Sequence, residues 1–230
     1  KKDFFVSENL VSIISKQGES FKTSIVIRNT ENINQNFELS LSKDLKGILF
    51  LSEDLFSLQG GEEIIIYINF ISDYVPEPKV YTGKLEIKTI DRKKYTNIIF
   101  NVKSKKLLFD VILDVPYKYR TLRQGQDLLI DLDLFNLGDF EKASVNVDYL
   151  IKDFDGNLIL KKSEVVDIEK QISFSKIISL PKNLRPGEYV VITRVTYDGS
   201  IGSSSFVFEV VEDKPKLNWQ WTLIGLLIVA

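Results

Sequence analysis

The chain contains no cysteine, no histidine and no methionine. Without cysteine there is no disulfide, no thiol nucleophile, no thiolate metal site and no iron–sulfur cluster. Without histidine there is no Ser-His-Asp or Cys-His chemistry, and no His-ligated haem, zinc or iron. Without methionine, Lys1 is expected to follow a cleavage or a truncation, not a translation start. An excess of one charge is missing too: 30 Lys+Arg face 32 Asp+Glu, a net −2. A nucleic-acid binder should carry a basic excess, so no nucleic acid is expected as a partner. Neither the P-loop nor the dinucleotide-binding glycine fingerprint is present. These absences leave a module that holds or binds something.

What is present is alternation. The 230 residues, 44% of them hydrophobic, suit two domains of about 100 to 115 residues each. Apolar side chains recur at every second position, which puts them on one face of a strand. The inward sets are Phe21, Thr23, Ile25 and Ile27; Phe37, Leu39 and Leu41; Ile64, Ile66, Ile68 and Phe70; Leu85, Ile87 and Thr89; and Ile98, Phe100 and Val102. The second half repeats the habit with Phe109, Val111, Leu113 and Val115, then Leu128 to Leu134, Val145 to Ile151, Ile172 to Leu180, Tyr189 to Val195, and Phe206 to Val210. No stretch before the C-terminal tail sustains a helical period, so the chain is predicted to be all-β. Gly60-Gly61, Asp91 to Lys94, Asp155-Gly156 and Pro186-Gly187 fall between these runs as turns.

The two halves also match each other. Gly18 and Asn29 recur as Gly125 and Asn136 at an offset of 107, and Tyr81, Ile98, Phe100 and Val102 as Tyr189, Phe206, Phe208 and Val210 at 108. Two copies of one fold are expected. Each has the strand number and spacing of an immunoglobulin-like sandwich. The boundary falls at Ser104-Lys105-Lys106, giving domains 1–104 and 105–212 joined with little freedom.

On these residues the first half, with Leu58-Gln59-Gly60-Gly61-Glu62 and Pro78-Lys79-Val80-Tyr81-Thr82-Gly83, resembles PapD-like or MSP/ASH-type immunoglobulin-like domains. The second, with Phe135-Asn136-Leu137-Gly138, Asp155-Gly156-Asn157 and Leu184-Arg185-Pro186-Gly187-Glu188-Tyr189, resembles CARDB-like domains of archaeal and bacterial envelope proteins. The resemblance implies extracellular binding or scaffolding, often above one membrane helix, and supplies no catalytic residue.

The tail fits that picture. After a linker over 213–218, the stretch from Leu217 to Ala230 is fourteen residues without a charge. At about 1.5 Å per residue it falls short of a roughly 30 Å hydrocarbon core. It therefore reads as the start of a transmembrane helix at 219–230. Trp219 and Trp221 would sit in the interfacial belt, and Leu223, Ile224, Leu226, Leu227, Ile228 and Val229 in the bilayer. A last strand or a docked short helix is the competing reading. The missing methionine suggests a removed signal peptide, hence a single-pass cell-membrane protein with both domains outside.

Few residues point to chemistry. Asp127, Asp131 and Asp133 share the outward face of one strand, and Asp110 and Asp114 that of the preceding one. Carboxylates two apart on a strand point out in parallel, so no metal site is expected. Asp153-Phe154-Asp155-Gly156-Asn157 partly matches a calcium loop but fails its spacing, and reads as a hairpin turn. No carboxylate pair is singled out for glycoside hydrolysis, so neither catalysis nor a cofactor is expected. Ile65 and Tyr67 lie opposite the core set of their strand. That second apolar face must be covered by the neighbouring domain, by loops or by a partner, and the two residues are the candidate partner surface. The expected function is non-enzymatic adhesion or envelope scaffolding, with a protein partner or an envelope component. The alternatives are an accessory subunit of a membrane complex and a carbohydrate-binding appendage using Tyr117 and Tyr119.

Overall fold

The computed structural model describes residues 3–70 and 76–212. The first half builds β1 (Phe4–Val6), β2 (Leu10–Lys16), β3 (Phe21–Asn29), β4 (Gln35–Leu41), β5 (Phe50–Leu51), β6 (Leu55–Leu58), β7 (Glu63–Phe70), β8 (Lys79–Lys88) and β9 (Lys93–Lys103). The second builds β10 (Phe109–Asp114), β11 (Thr121–Arg123), β12 (Asp127–Asn136), β13 (Ala143–Asp153), β14 (Leu158–Ile168), β15 (Gln171–Ser179), β16 (Gly187–Tyr197) and β17 (Ser200–Val211). The protein is all-β.

Each half is an immunoglobulin-like sandwich of two sheets. In the first, β1-β3-β7-β5 faces β2-β9-β8-β4-β6; in the second, β10-β12-β15 faces β11-β17-β16-β13-β14. The first strand of each half is split between its two sheets. β2 pairs parallel with β9, as β11 does with β17, while β1 and β10 run antiparallel to β3 and β12. The alternating apolar sets point inward and fill two separate cores, one from Phe4 to Val102 and one from Phe109 to Val210.

The sequence repeat is a repeat of hydrogen bonds. Gly18 and Gly125 take φ of 86° and 78°, a conformation open to glycine. Beside them the Lys16 N–H donates to Glu19 Oε2, and the Arg123 N–H to Gln126 Oε1. Asn29 Nδ2 donates to the carbonyls of Ile33, Leu58 and Gln59, and Asn136 Nδ2 to those of Phe140 and Glu169. The Tyr81 hydroxyl donates to the Glu77 carbonyl and the Tyr189 hydroxyl to that of Arg185, each ring stacked on the matching phenylalanine, Phe100 or Phe208. These are tyrosine corners.

Four elements differ from the sequence reading. β1 and β2 lie ahead of the first strand that alternation picks out. β9 starts at Lys93, so the turn read at Asp91 to Lys94 is shorter and is closed by the Thr89 N–H donating to the Arg92 carbonyl. β14, with many charged residues, is an edge strand that the apolar pattern passes over.

The two sandwiches pack sheet against sheet. Val80 and Ile99, on the outer faces of β8 and β9, are buried against Phe154, Val190 and Ile192, with Leu150 and Val207 at the margin. Asn101 and Ser203 exchange hydrogen bonds of 2.8 and 2.6 Å in the buried centre. Thr82 donates to the Asp153 carbonyl, and Ser104 and Ile201 bond through backbone and side chain. The rim is closed by Lys84–Asp155 at 2.6 Å and Asn97–Glu188 at 2.7 Å. Lys152 reaches the Val80 carbonyl, and burial pushes its ammonium below its ordinary pKa despite the nearby Asp44.

Candidate partner surface

The outer face of the β1-β3-β7-β5 sheet carries an apolar patch. Pairing between β3 and β7 puts Val26 beside Ile65, Ser24 beside Tyr67 and Arg28 beside Glu63. β1 places Phe5 next to Arg28, and β5 places Phe50 next to Asn69. Side chains two apart on a strand share a face, so Phe5, Val26, Ile65, Tyr67 and Phe50 lie together. Ile65 is 50% exposed, Phe5 46%, Phe50 44% and Tyr67 36%. The sheet is therefore clothed on its inner side and open on its outer one.

Charges border the patch without covering it. Lys22 Nζ sits 3.5 Å from the Tyr67 ring centre, a cation–π contact. Arg28 pairs with Glu63 at 2.8 Å and flanks the Phe5 ring. A cavity of about 520 Å³ lined by Phe21, Lys22, Phe50 and Asn69 opens at one end. The β7 backbone is also open beside the patch. Glu62 accepts from the Asn29 N–H and Tyr67 bonds Ser52 on the opposite side. By alternation the N–H and C=O of Ile65 point away from β3, where β5 reaches only Ile68 and Asn69. A surface of this kind suits contact with an apolar protein surface, with Lys22 and Arg28 at its rim.

Ile65 and Tyr67 thus lie side by side on an exposed face, uncovered by the second sandwich. Sequence reading missed Phe5, Val26 and Phe50. β1 and β5 are too short to alternate visibly, and Val26 becomes part of the patch only through its register with Ile65.

The other candidates scatter. β10 and β12 are neighbours, with Asp114 opposite Asp131. Their carboxylates are nevertheless spoken for: Asp110 by Lys103, Asp114 by Arg120, Asp131 by Ser175 and Asp133 by Ser173. Among the described residues no three His, Cys, Asp or Glu side chains gather as for a metal ion. Asp153 Oδ1 accepts from the N–H groups of Asp155 and Asn157, which closes the hairpin turn. Tyr117 is 87% exposed, but Tyr119 packs on the second core, so the two rings make no common platform. Trp219, Trp221, Leu223, Ile224, Leu226, Leu227, Ile228 and Val229 lie outside the described residues, as does the 213–218 linker. Among the described residues no helix is long and apolar enough to cross a membrane.

One polar network lies at the open side of the second sandwich. The Tyr149 hydroxyl donates to Glu164 Oε1 at 2.6 Å, and Lys176 pairs with the other carboxylate oxygen. Burial, with Glu164 alongside, pushes the Tyr149 hydroxyl well above its ordinary pKa. Burial opposes the Glu164 carboxylate too, but Lys176 and Tyr149 outweigh it and hold its pKa below the usual range.

No family model and no curated protein matches this sequence. Solved structures align with it at low identity and with modest superposition. A Porphyromonas gingivalis protein of unknown function aligns with a TM-score of 0.48 and 10% identity, over 92% of this chain and 99% of that one. PapD-like domain 7 of human CEP192 aligns at 0.37 and 10%, over 45% and 87%. The periplasmic chaperone SfaE aligns at 0.37 and 12%, over 91% and 100%.

Proposed function

We propose that this chain is a non-enzymatic protein-interaction scaffold of the cell envelope, anchored through residues 219–230 with its two sandwiches outside the membrane. The observation that carries the reading is the exposed apolar face of Phe5, Val26, Phe50, Ile65 and Tyr67. A contiguous apolar patch rimmed by charge marks a contact surface, and the packed pair of domains presents it as one body. Adhesion and envelope scaffolding both call for such a contact surface. The same patch favours the accessory-subunit reading, in which the partner is a membrane protein of the same complex.

A photo-reactive residue at position 65 in the native membrane tests the proposal. It should crosslink to a defined protein, and an added Tyr67→Asp should abolish the product. Failure to crosslink any protein would overturn the reading. Mild-detergent purification then separates the two forms: a stoichiometric membrane partner supports the accessory subunit, and an ectodomain that binds envelope material supports adhesion.

A further inference from the structure

We propose that the second sandwich pairs with a second copy of this chain through β15, strand edge to strand edge, about a two-fold axis at Ser175. The internal repeat supplies the first observation. β7 and β15 occupy the same place in their sandwiches, each hydrogen-bonded on one side to the strand after the positive-φ glycine. In the first copy the other side of β7 is partly capped by β5 and Ser52. In the second copy nothing among the described residues pairs with the other side of β15, over nine residues.

The bonding phase identifies the open groups. The Asn136 N–H donates to the Lys170 carbonyl, so Lys170, Ile172, Phe174, Lys176 and Ile178 bond towards β12. The N–H and C=O of Gln171, Ser173, Ser175, Ile177 and Ser179 therefore point to the free edge. Their side chains share the exposed face, and none is charged. The Ser173 and Ser175 hydroxyls turn back to Asp133 and Asp131 and leave the edge clear. The other edge strands of more than four residues are guarded, since β2 presents Lys16, β10 presents Asp110 and Asp114, and β14 presents Lys161 and Asp167. Charges of this kind are how sheet edges avoid unwanted pairing.

Self-pairing follows from the order of residues. Antiparallel pairing centred on Ser175 sets Ser175 against Ser175 of the second copy, with both backbones facing across the junction. Ser173 then meets Ile177, Gln171 meets Ser179, and Ile172 meets Ile178. Lys176, the one charge on the strand, meets Phe174 and not another Lys176, and it is already neutralised by Glu164. No like charges are opposed. The two three-stranded sheets would join into one continuous sheet. An edge contact is smaller than the roughly 1,200 Å² of a standard interface, so the association is reversible.

The absence of native cysteine makes the test clean. Facing residues of a hydrogen-bonded pair have Cα atoms about 5.5 Å apart, within disulfide range. Ser175→Cys in the full chain, held in mild detergent and gently oxidised, should give a covalent dimer. Ser179→Cys alone should not, yet mixed with Gln171→Cys it should crosslink. Ser175→Pro removes the N–H that faces the edge and the exposed hydroxyl bond to Asp131, but no bond of the β12–β15 ladder. It should weaken association about tenfold or more, the worth of the lost backbone bonds. Equal crosslinking of Ser175→Cys and Ser179→Cys would overturn the proposal. So would no crosslinking by a folded Ser175→Cys chain, or capture of a different protein at this edge.

Discussion

Phe154→Ala tests whether the two sandwiches stand or fall as one body. Phe154 belongs to the second domain's hairpin turn, yet it is 3% exposed because it is buried against Val80 and Ile99 of the first. Removing a buried phenylalanine ring costs about 3 to 5 kcal/mol. The lower end applies, since the hole lies between two bodies that can settle towards each other, and Asn101–Ser203 still holds them. A loss of about 3 kcal/mol in a chain this size lowers the melting midpoint by about 6 to 12 °C. Calorimetry on the full chain should also show the single transition splitting in two, because each sandwich keeps its own core. Leu158→Ala, beside the same turn but 53% exposed, should shift the midpoint by no more than about 0.5 kcal/mol. A Phe154→Ala chain that still melts in one transition, less than about 1 kcal/mol destabilised, would refute the reasoning.

The Glu164 carboxylate has a lowered folded pKa, so its stabilisation is complete above the ordinary value of 4.5 and is lost as pH falls through the folded value. Urea midpoints of wild type and Glu164→Gln should therefore differ at neutral pH and converge in acid. Tyr149 has a raised folded pKa, so its stabilisation is full below the ordinary value of 10.0 and declines as pH rises above it. Tyr149→Phe should flatten that alkaline decline in a pH series of thermal melts. Asn29→Ala removes the side-chain hydrogen bonds to the carbonyls of Ile33, Leu58 and Gln59 at a buried site and should cost about 3 kcal/mol. Asn136→Ala, at a more exposed site, should cost about half of that by chemical denaturation. Lys152→Met should raise the melting midpoint at neutral pH, because it relieves a buried ammonium whose pKa burial already lowers.

The frame of the fold was legible in the sequence because burial on one side of a sheet writes a period of two. The sets from Phe21, Val145 and Tyr189 all point inward. The repeat of Gly18-Asn29 in Gly125-Asn136 was legible because turn chemistry tolerates few residue types. Short pieces were not. β1 and β5 hold too few residues to alternate, although they frame the patch around Ile65. β14 shows no clean alternation because its apolar residues come in the runs Leu158 to Leu160 and Val165-Val166, interrupted by Lys161, Lys162 and Glu164. The domain interface hid for a different reason. Val80, Ile99, Val190 and Ile192 sit between inward residues as short apolar stretches, and nothing in such a stretch says which face meets which neighbour.

The two copies diverge at one topological position, the connection leading from β4 to β7 and from β13 to β15. In the first copy it is long. Leu45, Ile48 and Leu49 plug the core, and the chain then lays β5 against β7. In the second copy the turn at Asp153 to Asn157 returns at once along β14, and no residue is left to cap β15. The short turn serves another end: it puts Phe154 into the first domain and Asp155 onto Lys84. The two diverged segments also meet, for a β-carbon on Gly156 would lie 2.7 Å from Asp44 Oδ2 of the long connection. A side chain at position 156 would therefore displace the Asp44 carboxylate, besides straining a φ of 86°. One segment thus closes an edge in the first copy and fixes the domain junction in the second. The same shortening that locks the two sandwiches together leaves β15 open, at a position fixed relative to the apolar face of Ile65 and Tyr67.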